Sequence, residues 1–436
     1  MAAEKVKENA KLNYFFIKLF VVLTHIVLLL NVYLNGVYDD AAAVIILSAF
    51  VIASDVIYFM ILGTFTQDTY TVDYLLVLIA NISLIFQSCF GGVQFNLKHF
   101  ITLTAGMISC HAGYLFTRNS FKAEKFRPYC YAGIGVLMIV ILLFAGSRSM
   151  WINIGSFSVQ PSEFMKPLLV MICASSLQSQ QTKKKYWIIR TAPNNIGMVL
   201  ISVLIIAFQW WCRDLGSIPT FAAVTGCALI NRLCYPKAAF SKRKIGALAA
   251  GAVALAVLAV KFAPGYVKDR LYVDIWADQY GNGYQQCRAL IAMAEGGWLG
   301  KGLGAGRLSN VAAYDTDIVF SSVSEEWGLL AAILFVILIV LMLATSLINT
   351  PKCYYHGTIA VGVTAVFVVQ MSLNIFGSCN MIPFTGVTLP FLSNGGTSIV
   401  TSGFLIGMLK ASQSPEFVRN IVEVEPGADG KQGGKK

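Results

Sequence analysis

The chain has 436 residues, of which 56% are hydrophobic and only 13% are charged. With a mean hydropathy of +0.67, this composition excludes an ordinary soluble globular protein and indicates several membrane spans. The formal net charge is +11. Because the cations cluster between apolar segments, this charge indicates membrane topology and a fit to anionic membrane lipid, and it gives no reason to expect nucleic acid as a partner.

The apolar segments predict an all-α fold, a polytopic membrane helix bundle of about twelve transmembrane helices, because one crossing needs about 20 helical residues. In chain order the predicted spans are 14–34, 41–63, 72–90, 99–117, 128–146, 162–178, 194–210, 214–231, 244–262, 323–348, 356–376 and 393–411. Lys and Arg cluster before the first span and after the fourth, sixth and eighth, which predicts that both termini are cytoplasmic. Asp55 and Asp73 fall inside spans, where we expect interhelical hydrogen bonds.

This topology leaves three regions outside the membrane, at about 147–161, 263–322 and 377–392. The second is one large extracytoplasmic loop. In a chain of otherwise short loops, a connection of this length is usually functional or disordered, and its aromatic and Gly content argues against disorder.

Two charged residues, Glu163 and Lys166, stand at the start of an otherwise apolar, helix-length segment, WINIGSFSVQPSEFMKPLL. On a helix they lie three residues apart and share one face. Charges at the edge of a membrane span are costly to desolvate, so the pair predicts a functional site. The alternative is a capped helix start with a surface ion pair, because Pro161 suits a first helical turn.

Further candidates lie in polar segments next to predicted spans. Asp214 stands beside Arg213 in WCRDLGS, and Asp317 precedes a span in YDTDIVFSS. Such carboxylates can hold a divalent cation, act as a general base or simply face water. The run GWLGKGLGAGR from Gly297 lacks the Ser or Thr that follows the lysine of a Walker motif. Its glycines favour tight turns, with a phosphate-binding nest of backbone N–H groups as the alternative.

Five blocks in fixed order resemble the SEDS family of FtsW, RodA and SpoVE, the membrane proteins of shape, elongation, division and sporulation. They are QPSEFMK after WINIGSFSV, DLGS at 214–217, GYQQCRALIAMAEGGWLGKGLG from Gly283, TDIVF followed by SEEWG, and PFTGVTLPFLSNGGTS from Pro383. The resemblance covers roughly residues 146–411 and is greatest to Gram-positive division and sporulation members. SEDS proteins commonly have about ten spans, so the resemblance implies that this chain has two additional spans at its N-terminus.

The same resemblance divides the chain into three parts. Residues 1–127 form N-terminal membrane helices that are partly extra to the family. Residues 128–411 form a SEDS-like membrane core that includes the loop 263–322. Residues 412–436 are polar and are expected to be a disordered cytoplasmic tail.

In function, the resemblance implies an enzyme of the bacterial cytoplasmic membrane, a peptidoglycan glycosyltransferase. Its substrate is lipid II, an undecaprenyl-diphosphate-linked disaccharide-peptide that is polymerised into glycan strands at the outer face, and its partner is a class B penicillin-binding protein that cross-links them. Because the donor sugar is α-linked and the product β-linked, a single inverting displacement is expected. Two alternatives stay open: a flippase or transporter of lipid-linked precursors, and a non-catalytic scaffold that recruits the penicillin-binding protein.

The resemblance also implies roles for individual residues. The family's essential aspartate matches Asp317, which becomes the general base for the attacking 4-hydroxyl. The substrate-binding candidates are Trp151, Glu163, Lys166 and Asp214, together with Arg148 and Ser393. Lys166, Arg148 or a divalent cation such as Mg²⁺ or Mn²⁺ is expected to neutralise the departing diphosphate, with Asp315 and Asp317 as the candidate metal ligands.

The chain departs from the family pattern at several of these positions. Asp315 replaces a common histidine, Cys212 and Arg213 stand where Gln-Pro is usual, and Asn394 replaces a common tyrosine. A second carboxylate at Asp315 is expected to raise the pKa of Asp317 by like-charge repulsion, or to help hold a metal. None of the changes removes a residue that the implied reaction requires.

Overall fold

Helices dominate the structure, a computed structural model that describes residues 2–35, 41–62, 70–145, 149–155, 157–178, 184–186, 189–191, 193–234, 261, 265, 273–350 and 354–413. Its α-helices, numbered along the chain, are α1 (Ala2–Asn35), α2 (Ala41–Leu62), α3 (Thr71–Gln87), α4 (Leu97–Thr117), α5 (Ser120–Phe144), α6 (Met165–Gln178), α7 (Pro193–Trp211), α8 (Ile218–Cys234), α9 (Tyr284–Gly296), α10 (Val319–Glu326), α11 (Leu329–Asn349), α12 (Tyr354–Ser378) and α13 (Gly396–Gln413).

The remaining elements are short. Two antiparallel hairpins pair β1 (Ile152–Ile154) with β2 (Phe157–Val159) and β3 (Lys184–Tyr186) with β4 (Ile189–Thr191). Two 3₁₀ helices cover Pro161–Phe164 and Leu308–Asn310. The predicted all-α class is therefore confirmed.

Seven of the described helices are long and apolar enough to cross a membrane, namely α1, α2, α4, α5, α7, α11 and α12. Two more, α3 and α8, are apolar but shorter. These helices agree with the predicted polytopic bundle. The count of twelve spans stays a prediction, because the structure describes only Lys261 of the ninth predicted span, 244–262.

Two predicted span boundaries are wrong, and both errors fall next to the loops that matter below. The predicted span 323–348 is divided by Gly328, whose φ of +89° ends one helix and starts the next. That backbone conformation favours glycine because it has no Cβ. The predicted span 214–231 begins only at Ile218, because the Asp214 carboxylate accepts a hydrogen bond from the Ser217 backbone N–H and forms a turn before the helix.

Helix α11 shows how these sequences fit a lipid environment. It contains no charged residue, and its exposed apolar side chains recur at three- and four-residue spacing, at Leu330, Leu334, Ile337 and Leu341. The opposite face is buried, and α11 packs against α3. Because the α-helix satisfies its own backbone hydrogen bonds, an apolar exposed stripe of this kind can face lipid without cost.

Glycines let α4 and α13 approach each other closely. A Cβ on Gly403 would collide with the carbonyl oxygen of Gly106, and a Cβ on Gly407 would collide with that of Cys110. Small residues allow this backbone-to-backbone packing in membranes, where van der Waals contact drives helix association. The close packing fixes the position of α13, whose first turn contributes Thr397 to the surroundings of the site described below.

Polar contacts inside the bundle attach α1 and α2 to α3. His25 in α1 lies 2.7 Å from the carboxylate of Asp55 in α2, and the same carboxylate accepts a hydrogen bond from Asn81 in α3. Lys410 in α13 pairs with Asp73 in α3 at 2.6 Å. The prediction that Asp55 and Asp73 are interhelical hydrogen-bonding groups is therefore confirmed.

The three regions that the predicted topology places on one side of the membrane meet at one end of the bundle, here called the loop end. The Gln87 amide donates to the carbonyls of Asp315 and Leu392 at 2.9 and 2.7 Å, which joins the second region to the third. The first and third regions line one cavity, through 149–151 and 385–388. The α3–α4 connection lies at the same end of the bundle, since the backbone N–H of Gly91 donates to the carboxylate of Glu326 at the end of α10.

Candidate active site

A cavity of about 360 Å³ opens at the loop end. Four of the residues predicted from the sequence line it together: Trp151, Glu163, Lys166 and Asp214. They come from three separate stretches of chain, namely the segment before β1, the α6 region and the α7–α8 turn. The cavity therefore brings an aromatic ring, an ammonium group and two carboxylates to one place.

Glu163 and Lys166 form a buried ion pair in the floor of this cavity. Pro161 opens the 3₁₀ helix that runs directly into α6, so the two side chains project from one helical face. The Lys166 Nζ lies 2.5 Å from the Glu163 Oε1, and the two side chains are only 3% and 7% exposed. The alternative of a surface ion pair is therefore wrong. An ammonium group has three donors, so Lys166 can bind a second anion without releasing Glu163.

Asp214 is held by the turn that precedes α8. Its carboxylate accepts hydrogen bonds from the Ser217 hydroxyl at 2.7 Å and from the Gln160 amide at 3.3 Å. Burial raises the pKa of Asp214, against the opposing effects of the Ser217 hydrogen bonds and the nearby Lys166 charge. The carboxylate is thus close enough to the Glu163–Lys166 pair to share its electrostatic field.

Arg213 adds a second cation to the cavity lining, and sequence reasoning noted it only as a departure from the family pattern. Its φ is +64°, a left-handed conformation that few non-glycine residues adopt. A proline has φ near −65° and cannot occupy this position in the same turn. The exposed Arg213 side chain thus lines the cavity from a turn that a proline could not form.

The wall next to the α7–α8 turn is the segment 385–388. The two pack without a gap: a Cβ on Gly216 would lie 2.7 Å from the Val387 side chain and 3.0 Å from the Thr385 carbonyl oxygen. A larger residue at position 216 would push this wall away. The DLGS block is thus needed for its glycine as well as for Asp214.

Asp317 lies beside this wall and is partly exposed. A Cβ on Gly386 would lie 3.1 Å from the Asp317 carboxylate, and the φ of Gly386 is +67°. Because Gly386 lines the cavity, the carboxylate lies at the edge of the cavity. Asp317 does not itself line the cavity, so it borders the site formed by the other predicted residues.

Burial raises the pKa of Asp317 to about 6, whereas the Thr316 hydroxyl lowers it and the Asp315 charge raises it. The predicted like-charge effect of Asp315 is present, but burial is the larger cause. A carboxylate with this pKa is mostly ionised at neutral pH and still basic enough to accept a proton, as a general base must.

The two departures from the family pattern at Asp315 and Asn394 contact each other. The Asn394 amide donates to the Asp315 carboxylate at 3.0 Å, and the Asn394 backbone N–H donates to the Asp315 carbonyl. Because the residues are 79 positions apart, no local pattern in the sequence could reveal the pairing. Their side chains hold the loop before Asp317 against the third outer region.

Ser393 was predicted to bind substrate, and the structure places it elsewhere. Its side chain is buried, it is not among the residues that line the cavity, and its hydroxyl donates to the carbonyl of Thr316 at 2.6 Å. The prediction for Ser393 is therefore corrected to support of the loop before Asp317. Arg148 lies outside the described residues, so its predicted role stays a prediction.

The glycine-rich loop between α9 and α10 has a structural explanation. The backbone N–H groups of Arg307 and Leu308 donate to Glu325 at 2.9 Å, and that of Gly304 donates to Glu326 at 3.1 Å. Burial raises the pKa of Glu326 to about 7. The N–H groups that could have formed a phosphate nest are thus occupied by the chain's own carboxylates, which favours the tight-turn interpretation.

The candidate metal ligands do not form a cation site from protein groups alone. Within the part of the chain that the structure describes, no three His, Cys, Asp or Glu side chains are grouped so that they could hold a metal ion. Asn394 contacts one oxygen of the Asp315 carboxylate. Because Mg²⁺ is commonly bound by one or two carboxylates together with substrate phosphates, Asp315 and Asp317 would hold such a cation only with the diphosphate present, and the metal stays a prediction.

Known proteins resemble this chain over most of its length. A family model for FtsW, RodA and SpoVE, described as cell cycle protein, matches residues 62–415. Stage V sporulation protein E of Bacillus subtilis is 30% identical over 356 residues, which cover 71% of this chain and 93% of that relative. The probable peptidoglycan glycosyltransferase FtsW of Pseudomonas fluorescens is 29% identical over 330 residues, with 72% and 77% covered.

Solved structures show the same fold. A chain from a peptidoglycan synthase complex that coordinates polymerization and crosslinking has a TM-score of 0.61 at 17% identity, covering 80% of this chain and 98% of that one. The rod shape determining protein RodA of Thermus thermophilus has a TM-score of 0.54 at 17% identity, with 79% and 96% covered. The chain is a multi-pass membrane protein, and α1 with almost all of α2 precedes the matched region.

Proposed function

The chain belongs to the FtsW, RodA and SpoVE family of cell cycle proteins, and we propose that it is a peptidoglycan glycosyltransferase that polymerises lipid II. One observation carries the proposal: the cavity is lined by Trp151, Glu163, Lys166 and Asp214, and the Asp317 carboxylate lies against Gly386 in its wall. A cation for diphosphate and a carboxylate of raised pKa are the two groups that such a transfer requires.

In the proposed reaction, the Asp317 carboxylate accepts the proton of the acceptor 4-hydroxyl as its oxygen attacks the anomeric carbon of the donor sugar. The bond from that carbon to the diphosphate oxygen breaks, and its electrons leave with the diphosphate. A single displacement inverts the α-linkage to β, as polymerisation requires. Each cycle leaves Asp317 protonated until it returns the proton to water.

The departing diphosphate would bind the cations of the cavity. Lys166 and Arg213 balance the charges of Glu163 and Asp214 when all four are ionised. The diphosphate brings negative charge into this balanced set, and the two cations are the groups that can contact it. Glu163 orients the Lys166 ammonium, and Trp151, which is 44% exposed, offers an apolar face to the sugar or the lipid.

The positive-inside pattern supports an orientation with both termini in the cytoplasm and the loop end outside. In that orientation the cavity meets lipid II at the outer face of the bacterial cytoplasmic membrane. A class B penicillin-binding protein is the proposed partner, and a structural relative taken from a peptidoglycan synthase complex supports this assignment.

Reconstitution separates the proposal from its alternatives. Purified protein is incubated with fluorescent lipid II in liposomes, alone and with the partner transpeptidase, and products are resolved on a gel. Glycan ladders are expected. Movement of lipid II across the bilayer without ladders would indicate a flippase instead, and a lack of both in the presence of the partner would indicate a scaffold.

The pH dependence of polymerisation should report Asp317. The general base must be ionised, so kcat is expected to fall as the pH is lowered through about 6, where burial has placed the Asp317 pKa. Initial rates at saturating lipid II, measured from about pH 5 to pH 8, test this expectation. A rate that stays constant through pH 6 would argue against Asp317 as the base.

Replacing Arg213, whose backbone is left-handed, should increase stability and weaken substrate binding. Arg213→Gly removes a left-handed non-glycine residue, so a gain of about 1–2 kcal/mol in unfolding free energy is expected. It also removes a charged contact to diphosphate, so the KM for lipid II should rise about tenfold.

Arg213→Lys is the matched control for that change. It keeps both the charge and the backbone conformation, so its thermal midpoint and KM should stay close to those of the wild type. If Arg213→Gly is stabilised but its KM is unchanged, the guanidinium does not contact the substrate.

A further inference from the structure

Asn374, in the middle of the loop-end half of α12, joins the Asp317 loop to the cavity wall. Its side-chain amide nitrogen donates one hydrogen bond to the carbonyl oxygen of Asp317 and another to that of Val387, each at 2.8 Å. Val387 lines the cavity. One –NH₂ group thus connects the backbone of the proposed base to the backbone of the adjacent wall.

Gln87, the last residue of α3, makes the same kind of bridge on neighbouring carbonyls of the same two segments. Its amide nitrogen donates to the carbonyl of Asp315 at 2.9 Å and to that of Leu392 at 2.7 Å. The two bridges come from different helices and engage the loop at alternate residues, 315 and 317. Together the two amides fix the distance of the Asp317 loop from the segment 387–392, and they fix the rotation of the loop about its own axis.

Both amides are buried, with Asn374 1% and Gln87 6% exposed. Their amide oxygens have no hydrogen-bond partner among the described residues. The unpaired oxygen is unfavourable, and the two hydrogen bonds donated by each nitrogen offset this cost. What both positions use is a nitrogen with two hydrogens, and among uncharged side chains only Asn and Gln supply one.

We propose that Asn374 and Gln87 are positioning residues that hold Asp317 against Gly386. The proposal rests on the proposed function, because it assigns the two amides to the reaction that Asp317 would serve. Neither residue lines the cavity. Both act through the backbone of the loop, so their loss should impair the chemical step and leave the lipid II contacts intact.

The test compares Asn374→Leu and Gln87→Leu with the full-length wild type in liposomes. A displacement of the base by about 1 Å is expected to lower kcat by about 10²-fold, while the KM for lipid II stays within a few-fold. A loosened loop also lets water reach the Asp317 carboxylate, which lowers its pKa because burial is what raised it. The fall of kcat at acidic pH should therefore occur below the wild-type midpoint of about 6.

Asn231→Leu is the matched control. The Asn231 amide also joins two helices, since it donates to Thr358 at 3.4 Å, but it lies near the opposite end of α8 from the site. The same substitution there should leave kcat, KM and the pH profile unchanged. An equal loss of kcat in this control would overturn the proposal by showing a general packing effect.

Hydrogen–deuterium exchange supplies a readout that does not depend on activity. The backbone N–H groups of Thr316, Asp317 and Ile318 all donate to the Ala313 carbonyl. Their exchange should become faster in Asn374→Leu and stay unchanged in Asn231→Leu. Unchanged exchange in Asn374→Leu would overturn the proposal, and so would faster exchange with an unchanged kcat.

Failure of the proposed function would look different. If Asp317→Asn polymerises lipid II at the wild-type rate, Asp317 is not the base, whatever the exchange of the loop shows. If Asp317→Asn is inactive but loosening the loop has no effect on kcat, the function stands and the positioning role is wrong.

Discussion

Asp317→Asn is expected to lower kcat for lipid II polymerisation by about 10²–10⁴-fold, the contribution of a general base. The substitution keeps the shape of the side chain, and an amide oxygen can still accept the Thr316 hydrogen bond. Folding should therefore be preserved, and the loss should appear in kcat with little change in KM. Glycan ladder assays on protein with a wild-type thermal midpoint provide the measurement.

Asp278→Asn is the appropriate comparison for this variant. Asp278 lies in the same extended loop and is exposed, and its carboxylate accepts a backbone hydrogen bond from Asn282 that the amide oxygen can replace. Its polymerisation rate should equal that of the wild type. If Asp317→Asn and Asp278→Asn polymerise lipid II at comparable rates, Asp317 is not the general base.

Lys166→Met should abolish polymerisation and also destabilise the protein. The change leaves the Glu163 carboxylate buried without its counter-ion, and breaking a buried pair in this way costs roughly 3–5 kcal/mol. It also removes the ammonium group proposed to receive the diphosphate. A lower thermal midpoint in detergent, together with the absence of glycan ladders, is the expected result.

The double variant Glu163→Gln with Lys166→Met separates these two effects. Because both charges are removed together, most of the lost stability should return. Polymerisation should not return, since the cation for the diphosphate is still missing. A double variant that polymerises lipid II normally would restrict the pair to a structural role.

Local patterns in the sequence predicted the features that depend on nearby residues. The three-residue spacing of Glu163 and Lys166 placed both on one helical face, and the cation clusters grouped the regions that meet at the loop end. The position of Asp317 next to the cavity was implied by the family resemblance alone. Nothing in YDTDIVFSS distinguishes a base from a carboxylate that faces water.

The features that sequence reasoning missed depend on contacts between distant parts of the chain. Gln87 and the carbonyl it meets at Asp315 are 228 residues apart, and Asn374 and Asp317 are 57 apart. An amide in an apolar span predicts an interhelical hydrogen bond but does not reveal its partner. Arg213 was missed for another reason, because an arginine gives no sign that its backbone is left-handed.

The attachment of α1 and α2 has a consequence for the region that the family model matches. The two helices precede nearly all of the region that the family shares, yet Asn81 of α3, inside that region, donates to Asp55 of α2. Almost every residue of α3 is buried. Deleting the hairpin would leave the Asn81 amide facing lipid without a partner, which a membrane helix tolerates poorly. The two helices ahead of the matched region thus supply polar partners that a helix inside it requires, through Asp55 for Asn81 and Tyr58 for Asp73.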